Sequence, residues 1–200
     1  MIKEKNIAVL VSGVGTNLQA LIDAVNDGRI KNGRISLVLS SNPDAYALTR
    51  ARKNNIPVLV VPRSDYDCRA SFTDAIVNAL SEYDTDLIVL AGFMYILDSS
   101  FVKKYENRIM NVHPALIPSF CGEGMYGLRP HKAALERGVK ITGATVHFVN
   151  EVADGGRIIL QKAVAVEEGD TPETLQKRVM EQAEWEILPE AVNLFCCDKL

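Results

Sequence analysis

Over its first 112 residues the chain alternates short unbroken apolar runs with stretches whose apolar residues recur every three or four positions. Few folds accept that order. The runs fall at residues 7–11, 35–39, 58–61, 87–91 and 109–112, and they are rich in Val, Ile and Leu. Strands covered on both faces read this way, because neither face meets water. The stretches between them supply the covers. Residues 17–25 carry Leu18, Leu21, Ile22 and Val25 on one helical face, and residues 71–80 carry Phe72, Ala75, Ile76 and Ala79. Pro43, after Ser41 and Asn42 as cap candidates, opens a predicted helix to about Asn54, and a short helix is predicted over 99–105. The order predicts an α/β fold with a doubly wound, mostly parallel sheet.

After residue 112 the texture changes. Gly122, Gly124 and Gly127 mark a loop over 119–130, followed by a predicted helix over 130–137. Residues 141–149 and 157–166 predict an antiparallel strand pair joined by a Gly-rich turn. Thr171-Pro172-Glu173 then opens a long C-terminal helix toward Phe195, capped at Asp170 or Thr171, which Pro189 is expected to kink or interrupt. No repeat, low-complexity tract or linker divides the chain, so one domain over 1–200 is expected.

Charge and cysteines exclude several classes. Lys and Arg number 22 against 25 Asp and Glu, a net charge of −3. That balance disfavours a nucleic-acid partner, which needs a basic footprint. No apolar run approaches the ~18 residues that span a bilayer, and the charged MIKEKN start has no signal-peptide core, so a cytoplasmic protein without a membrane partner is expected. Cys68, Cys121, Cys196 and Cys197 form no CxxC pair and have no histidine at zinc spacing. Reduced thiols and no metal are expected.

In a parallel sheet, ligands bind beyond the strands' C-terminal ends. Three segments land there. Ser12-Gly-Val-Gly-Thr-Asn17 joins the first strand to the first helix. Its glycines allow a tight turn, and helix-start amides favour a phosphate. It lacks the lysine of a P-loop. It also lacks the third glycine and the ribose-binding acid of a dinucleotide site, which counts against a noncatalytic NAD-type module. Residues 91–97, AGFMYIL, form an apolar slot suited to core packing or to a flat heterocycle. The third segment is Asn111-Val112-His113-Pro114. Period-two alternation puts Asn111 and His113 on one strand face, where an amide can donate to a developing oxyanion beside an imidazole. A lone histidine before a proline more often serves a turn. Asp154, in the Asp154-Gly155-Gly156 turn, is the candidate third member, and a carboxylate there is expected to favour the imidazolium and raise the pKa of His113. His131, in a first helical turn, and His147, inside a strand, read as structural.

SGVGTNLQALI, AGFMYIL, NVHPALIP and TGATVHFVNEVADGGRIILQ, in this order, resemble the folate-dependent formyltransferases over essentially the whole chain. The phosphate loop and the length are most similar to the branch whose acceptor is glycinamide ribonucleotide (GAR). The resemblance implies a Rossmann-like formyltransferase fold and a transferase of purine biosynthesis. Its cosubstrate is 10-formyltetrahydrofolate, its acceptor the GAR amine, and no metal is needed. It implies that Asn111 holds the formyl oxygen, that His113 as imidazolium stabilises the oxyanion, and that Asp154 keeps His113 charged and oriented. Gly15, Thr16, Asn17 and Glu184 would bind GAR. Arg69, Met94, Tyr95, Ile96, Leu97 and Asn111 would bind the folate. A monomer or homodimer is expected. The sequence departs from the family pattern at Tyr95, Ala115 and Arg129, where the family carries Arg, Ser and often His, and in a longer 119–128 loop. A deformylase, with water as acceptor, is the nearest rival with the same core.

Overall fold

A computed structural model describes residues 3–200, so the first two residues of the MIKEKN lead lie outside it. Five strands, β1 (Lys5–Val11), β2 (Gly33–Ser40), β3 (Val58–Val60), β4 (Leu87–Leu90) and β5 (Ile109–His113), pair in parallel. β6 (Ile141–Phe148) runs antiparallel to β5, and β7 (Ile158–Ala165) antiparallel to β6. The order across the sheet is β3-β2-β1-β4-β5-β6-β7. The chain reverses direction of growth at β1, and the crevice beyond β1 and β4 is where an open sheet receives its ligand.

Alternation along each strand decides which helices cover which face. Ile7, Val9 and Val11 of β1 pack in one apolar layer with α1 (Thr16–Asn26), α2 (Tyr46–Lys53), α6 (Pro172–Val179) and α7 (Trp185–Cys196). Ala8 and Leu10 face the other layer, built on α3 (Arg69–Ser81) and α4 (Ser99–Lys104), with Phe72, Ile76 and Phe101 at its centre. α5 (Arg129–Arg137) follows the 119–128 loop. The doubly wound sheet, the antiparallel C-terminal pair and the long C-terminal helix are as the sequence predicts. Among the described residues, no helix is long and apolar enough to cross a membrane.

Two local expectations fail. Pro43 does not open a helix. The Ser40 hydroxyl donates to the Asn42 carbonyl at 2.7 Å, and Asn42 Oδ1 accepts the Asp44 amide at 3.0 Å, so local side chains close a turn and α2 starts at Tyr46. At the other end, Thr171 caps α6 through a reciprocal capping box with Thr174, as expected. The interruption that follows is a π segment, Met180–Glu184, well before Pro189. α7 runs through Pro189, which is buried with Ile187, Leu188, Ala191 and Val192. Packing of that apolar face outweighs the one ladder bond a proline removes.

Candidate active site

Strand pairing assembles the site. β5 ends in Asn111, Val112 and His113, and in the antiparallel register Asn111 lies opposite His147 and His113 opposite Thr145. Asn111 Nδ2 is 3.2 Å from His147 Nε2, and His147 Nδ1 donates to the Phe148 carbonyl at 2.8 Å. That second bond fixes the proton on Nδ1 and leaves Nε2 to be shared. It also lies 3.5 Å from Asp154 Oδ1. Unprotonated, Nε2 accepts from the Asn111 amide; protonated, it donates to Asp154. His113 is buried, with Nδ1 3.4 Å from Asp154 Oδ2 and Nε2 donating to the Phe120 carbonyl at 2.8 Å. Asp154 Oδ2 also accepts the Gly122 amide at 2.8 Å. The 119–128 loop therefore touches both His113 and Asp154.

The turn that presents Asp154 admits few residues. Asp154 has φ 55°, a left-handed conformation that Asp tolerates better than branched side chains do. At Gly156, a Cβ would sit 1.7 Å from the Phe148 carbonyl oxygen, so only glycine lets the chain double back against β6. Thr145 holds the other wall: its hydroxyl donates to the Ala115 carbonyl at 2.7 Å and accepts the Ile117 amide at 3.1 Å.

The charges differ from the sequence expectation in one respect. Burial holds the pKa of His113 below the ordinary histidine value, outweighing the upward pull of Asp154 and of the Phe120 carbonyl. Asp154 does raise it, as expected, but the net shift is downward, because a strand end under a loop removes more hydration than one carboxylate returns. Burial also pushes Asp154 up. Hydrogen bonds from His147 and Gly122 and the charges of both histidines overcome it, and the carboxyl ends below its usual range.

The first loop is built as anticipated. Gly15, at φ 76°, precedes α1, and a Cβ there would lie 2.6 Å from Ala47 Cβ. Arg50 braces the loop, with Nε donating to the Val14 carbonyl at 2.9 Å and Nη1 to Gln19 at 3.0 Å. Asn17 Nδ2 donates to Glu184 Oε2 at 2.6 Å, and Asn17 Oδ1 is buried without a partner among the described residues. Thr16 lies against Met180, its hydroxyl 3.9 Å from the sulfur. The π segment thus delivers Glu184 to the first loop, bringing together two candidates 167 positions apart.

In the AGFMYIL stretch, the Met94 amide donates to Ser12 Oγ at 3.0 Å, tying it to the first loop. Met94, Tyr95 and Ile96 expose their side chains. Leu97 does not: at 7% exposure it belongs to the apolar layer, so its backbone rather than its side chain is what a ligand could reach. Arg69, Met94, Tyr95 and Ile96 line a cavity of about 230 Å³ with Arg63 and Phe72.

Sequence reasoning missed His147. Its signal was present, since a strand pair that faces NVH with TVH sets an imidazole against Asn111, but the register that makes the match is not local. His131 is fully buried in α5, neither ring nitrogen has a partner among the described residues, and burial, then the charge of His113, bring its pKa down to about 4.

Among the groups that shape acid stability, Glu184 and His131 pull in opposite directions, and the lowered pKa of His113 adds to the slope of His131. Glu184, 6% exposed, is pushed up to about 7 by burial against the Asn17 bond. Its contribution is full below the unfolded value near 4.5 and is lost as pH rises through 7. His131 contributes stability that is full above about 6.5 and is lost as pH falls through 4. The two slopes oppose each other between pH 4.5 and 6.5. Glu184→Gln is therefore expected to turn a shallow profile into one that rises with pH by about 3 kcal/mol across that window. Urea melts at successive pH values check this, and an unchanged slope would remove the opposition.

A family model for formyl transferase matches residues 5–192. The chain belongs to that family. It is 40% identical to phosphoribosylglycinamide formyltransferase of Escherichia coli, covering 98% of this chain and 89% of that protein. The trifunctional purine biosynthetic protein adenosine-3 of Bos taurus is 45% identical over 96% of this chain, but the match spans only 18% of that much longer protein. Among solved structures, glycinamide ribonucleotide transformylase 1 of Symbiobacterium toebii superposes with a TM-score of 0.91 at 44% identity, covering 97% of this chain and 88% of that one.

Proposed function

We propose that this chain transfers the formyl group of 10-formyltetrahydrofolate to the amine of GAR, giving formyl-GAR and tetrahydrofolate, a step of purine synthesis. The observation that carries the reading is the convergence of Asn111, His113 and Asp154, with His147 between amide and carboxylate, beside a helix-start loop suited to a phosphate. The names of the similar proteins support the same acceptor and the transfer of a formyl group.

The GAR amine attacks the formyl carbon. The carbonyl oxygen becomes an oxyanion, and the second N–H of the Asn111 amide, free of His147, donates to it. The developing negative charge reverses the balance at His113, whose charged form burial disfavours and an adjacent oxyanion favours. Asp154, held ionised, orients the ring and takes the proton that the attacking amine releases through water. The oxyanion collapses to the carbonyl, the bond from the formyl carbon to the folate nitrogen breaks, and Asp154 returns the amine's proton through water to that nitrogen. No covalent enzyme intermediate is required.

GAR sits with its phosphate on the backbone amides of Gly15, Thr16 and Asn17 and on the second N–H of the Asn17 side chain, and with Glu184 near its ribose or amine. The folate lies along Met94 to Leu97, with Arg69 at its acidic end. Asn17→Ala is expected to raise KM for GAR by at least about tenfold, the weight of one charge-assisted hydrogen bond, with KM for the folate changed far less. Equal losses for both substrates in a folded variant would remove the phosphate-loop assignment.

The founding experiment is tetrahydrofolate release from 10-formyltetrahydrofolate with and without GAR. Release that depends on GAR is the expected result. Release without it would make the chain a deformylase.

A further inference from the structure

The first loop is tied to α2 by its carbonyls, and its amides are left unpaired. The Gly13 carbonyl accepts the Ala47 amide at 3.1 Å, and the Val14 carbonyl accepts Arg50 Nε at 2.9 Å. Ala47 and Arg50 are three positions apart, on one face of α2. Both loop peptides are trans, and in a planar trans peptide the N–H points opposite to the C=O. With the Gly13 and Val14 carbonyls turned toward α2, the N–H groups of Val14 and Gly15 are turned away from it. Neither has a hydrogen-bond partner among the described residues. With the first amides of α1 they make a run of donors about the left-handed Gly15, the backbone form of an anion nest. Arg50 itself is half-buried. Its two acceptors, the Val14 carbonyl and Gln19 Oε1 at 3.0 Å, are neutral, and its guanidinium carbon stands 5.1 Å from the centre of the Tyr46 ring. Among the described residues no carboxylate pairs with it, and Asp23 is linked to it only through the Gln19 amide.

We propose that Arg50 is a positioning residue for the acceptor's phosphate: its bond to the Val14 carbonyl holds the Gly15 N–H on the anion, and its charge stands behind that peptide. The inference rests on the phosphate-loop reading above. Arg50 acts through the Val14–Gly15 peptide and touches no reacting atom. Gly15 needs such a hold, because a glycine has the widest choice of backbone angles and its amide can turn away. An amide already fixed in direction loses no freedom when the anion arrives. A cation that no carboxylate cancels adds to the positive potential the amides create. Arg50 therefore favours an acceptor with a charged phosphate over one without it.

The test compares GAR with the same acceptor lacking its phosphate, glycinamide riboside, at saturating 10-formyltetrahydrofolate. Arg50→Met, which removes both the donor and the charge, is expected to raise KM for GAR by about tenfold, with kcat and the riboside's kcat/KM changed by less than about twofold. Arg50→Lys keeps a charge and a donor, and is expected to recover part of the loss. A measurement on the unmodified protein carries the test should Arg50→Met fold poorly. In its amide NMR spectrum, GAR is expected to move the Gly15 proton downfield together with those of Thr16 and Asn17. Equal losses for GAR and the riboside in Arg50→Met would make Arg50 a structural brace only and overturn the inference. So would an unchanged KM for GAR, or a Gly15 amide that stays in place while Thr16 and Asn17 move. An unmodified protein that uses GAR and the riboside equally well, or one in which GAR moves none of these amides, would reject the phosphate-loop reading itself, and this inference with it.

Discussion

His113→Ala is expected to lower kcat for GAR-dependent formyl transfer by about a thousandfold, within the range of a positioned acid–base group, with little change in GAR binding. The argument rests on where charge develops. In the free protein His113 is buried, and that burial holds its pKa down and disfavours its charged form before reaction. An oxyanion formed nearby makes that charged form favourable, and this energy is gained only as the reaction proceeds. Such an interaction appears in kcat and not in ground-state affinity. Asp154→Ala is expected to fail in the same way, because it removes the 3.4 Å contact that orients the ring and the acceptor for the amine proton. The double variant is expected to lose little more than either single one, since the two act as a unit. Single-turnover kinetics with direct GAR titration would decide it. A variant with near-normal kcat would relieve that residue of its role.

Replacing Asn111 by Ala is expected to cost about a hundredfold in kcat, the usual weight of one oxyanion donor. The His147 contact extends this prediction. His147 Nε2 selects which end of the Asn111 amide faces it, and so leaves the other N–H directed at the substrate. His147→Ala is expected to lower kcat in the same direction by a smaller factor, because the amide can then rotate. His147→Ala added to Asn111→Ala is expected to add almost nothing, since there is no amide left to orient. Full additivity in this double-mutant cycle would show that His147 acts apart from Asn111.

Much of the fold was legible because alternation is a local property. Unbroken Val and Ile runs between helix-period stretches leave a parallel sheet as the economical answer, and the sheet then puts Asn111 and His113 at a strand end. Asp154 was legible as a candidate because a glycine pair announces a turn, and the Cβ that Gly156 lacks would sit 1.7 Å from the Phe148 carbonyl oxygen, which gives that turn its reason. What escaped depended on distance along the chain. His147 joins the site only through the β5–β6 register, which no window around residue 147 contains. Pro43 misled because Asn42, a cap candidate, closes a turn with Ser40 instead of capping a helix. The sign at His113 was misjudged because the sequence names the carboxylate nearby but not the depth of burial.

The π segment has a consequence for chain length. α6 is pinned below it, where Asp170 pairs with Arg178 at 2.6 Å and Leu175 and Val179 are buried, and α7 is pinned above it by its own apolar face. Both grips face the same sheet, and an i→i+5 turn takes up one residue more than a regular turn would. Deleting one residue among 180–184 would let the two helices join as one regular rod. With the extra residue gone both apolar faces would keep their grip on the sheet, and the contact to let go would be the one the bulge itself makes, Asn17–Glu184. In this chain the length of a loopless helix is as constrained as the spacing of any motif.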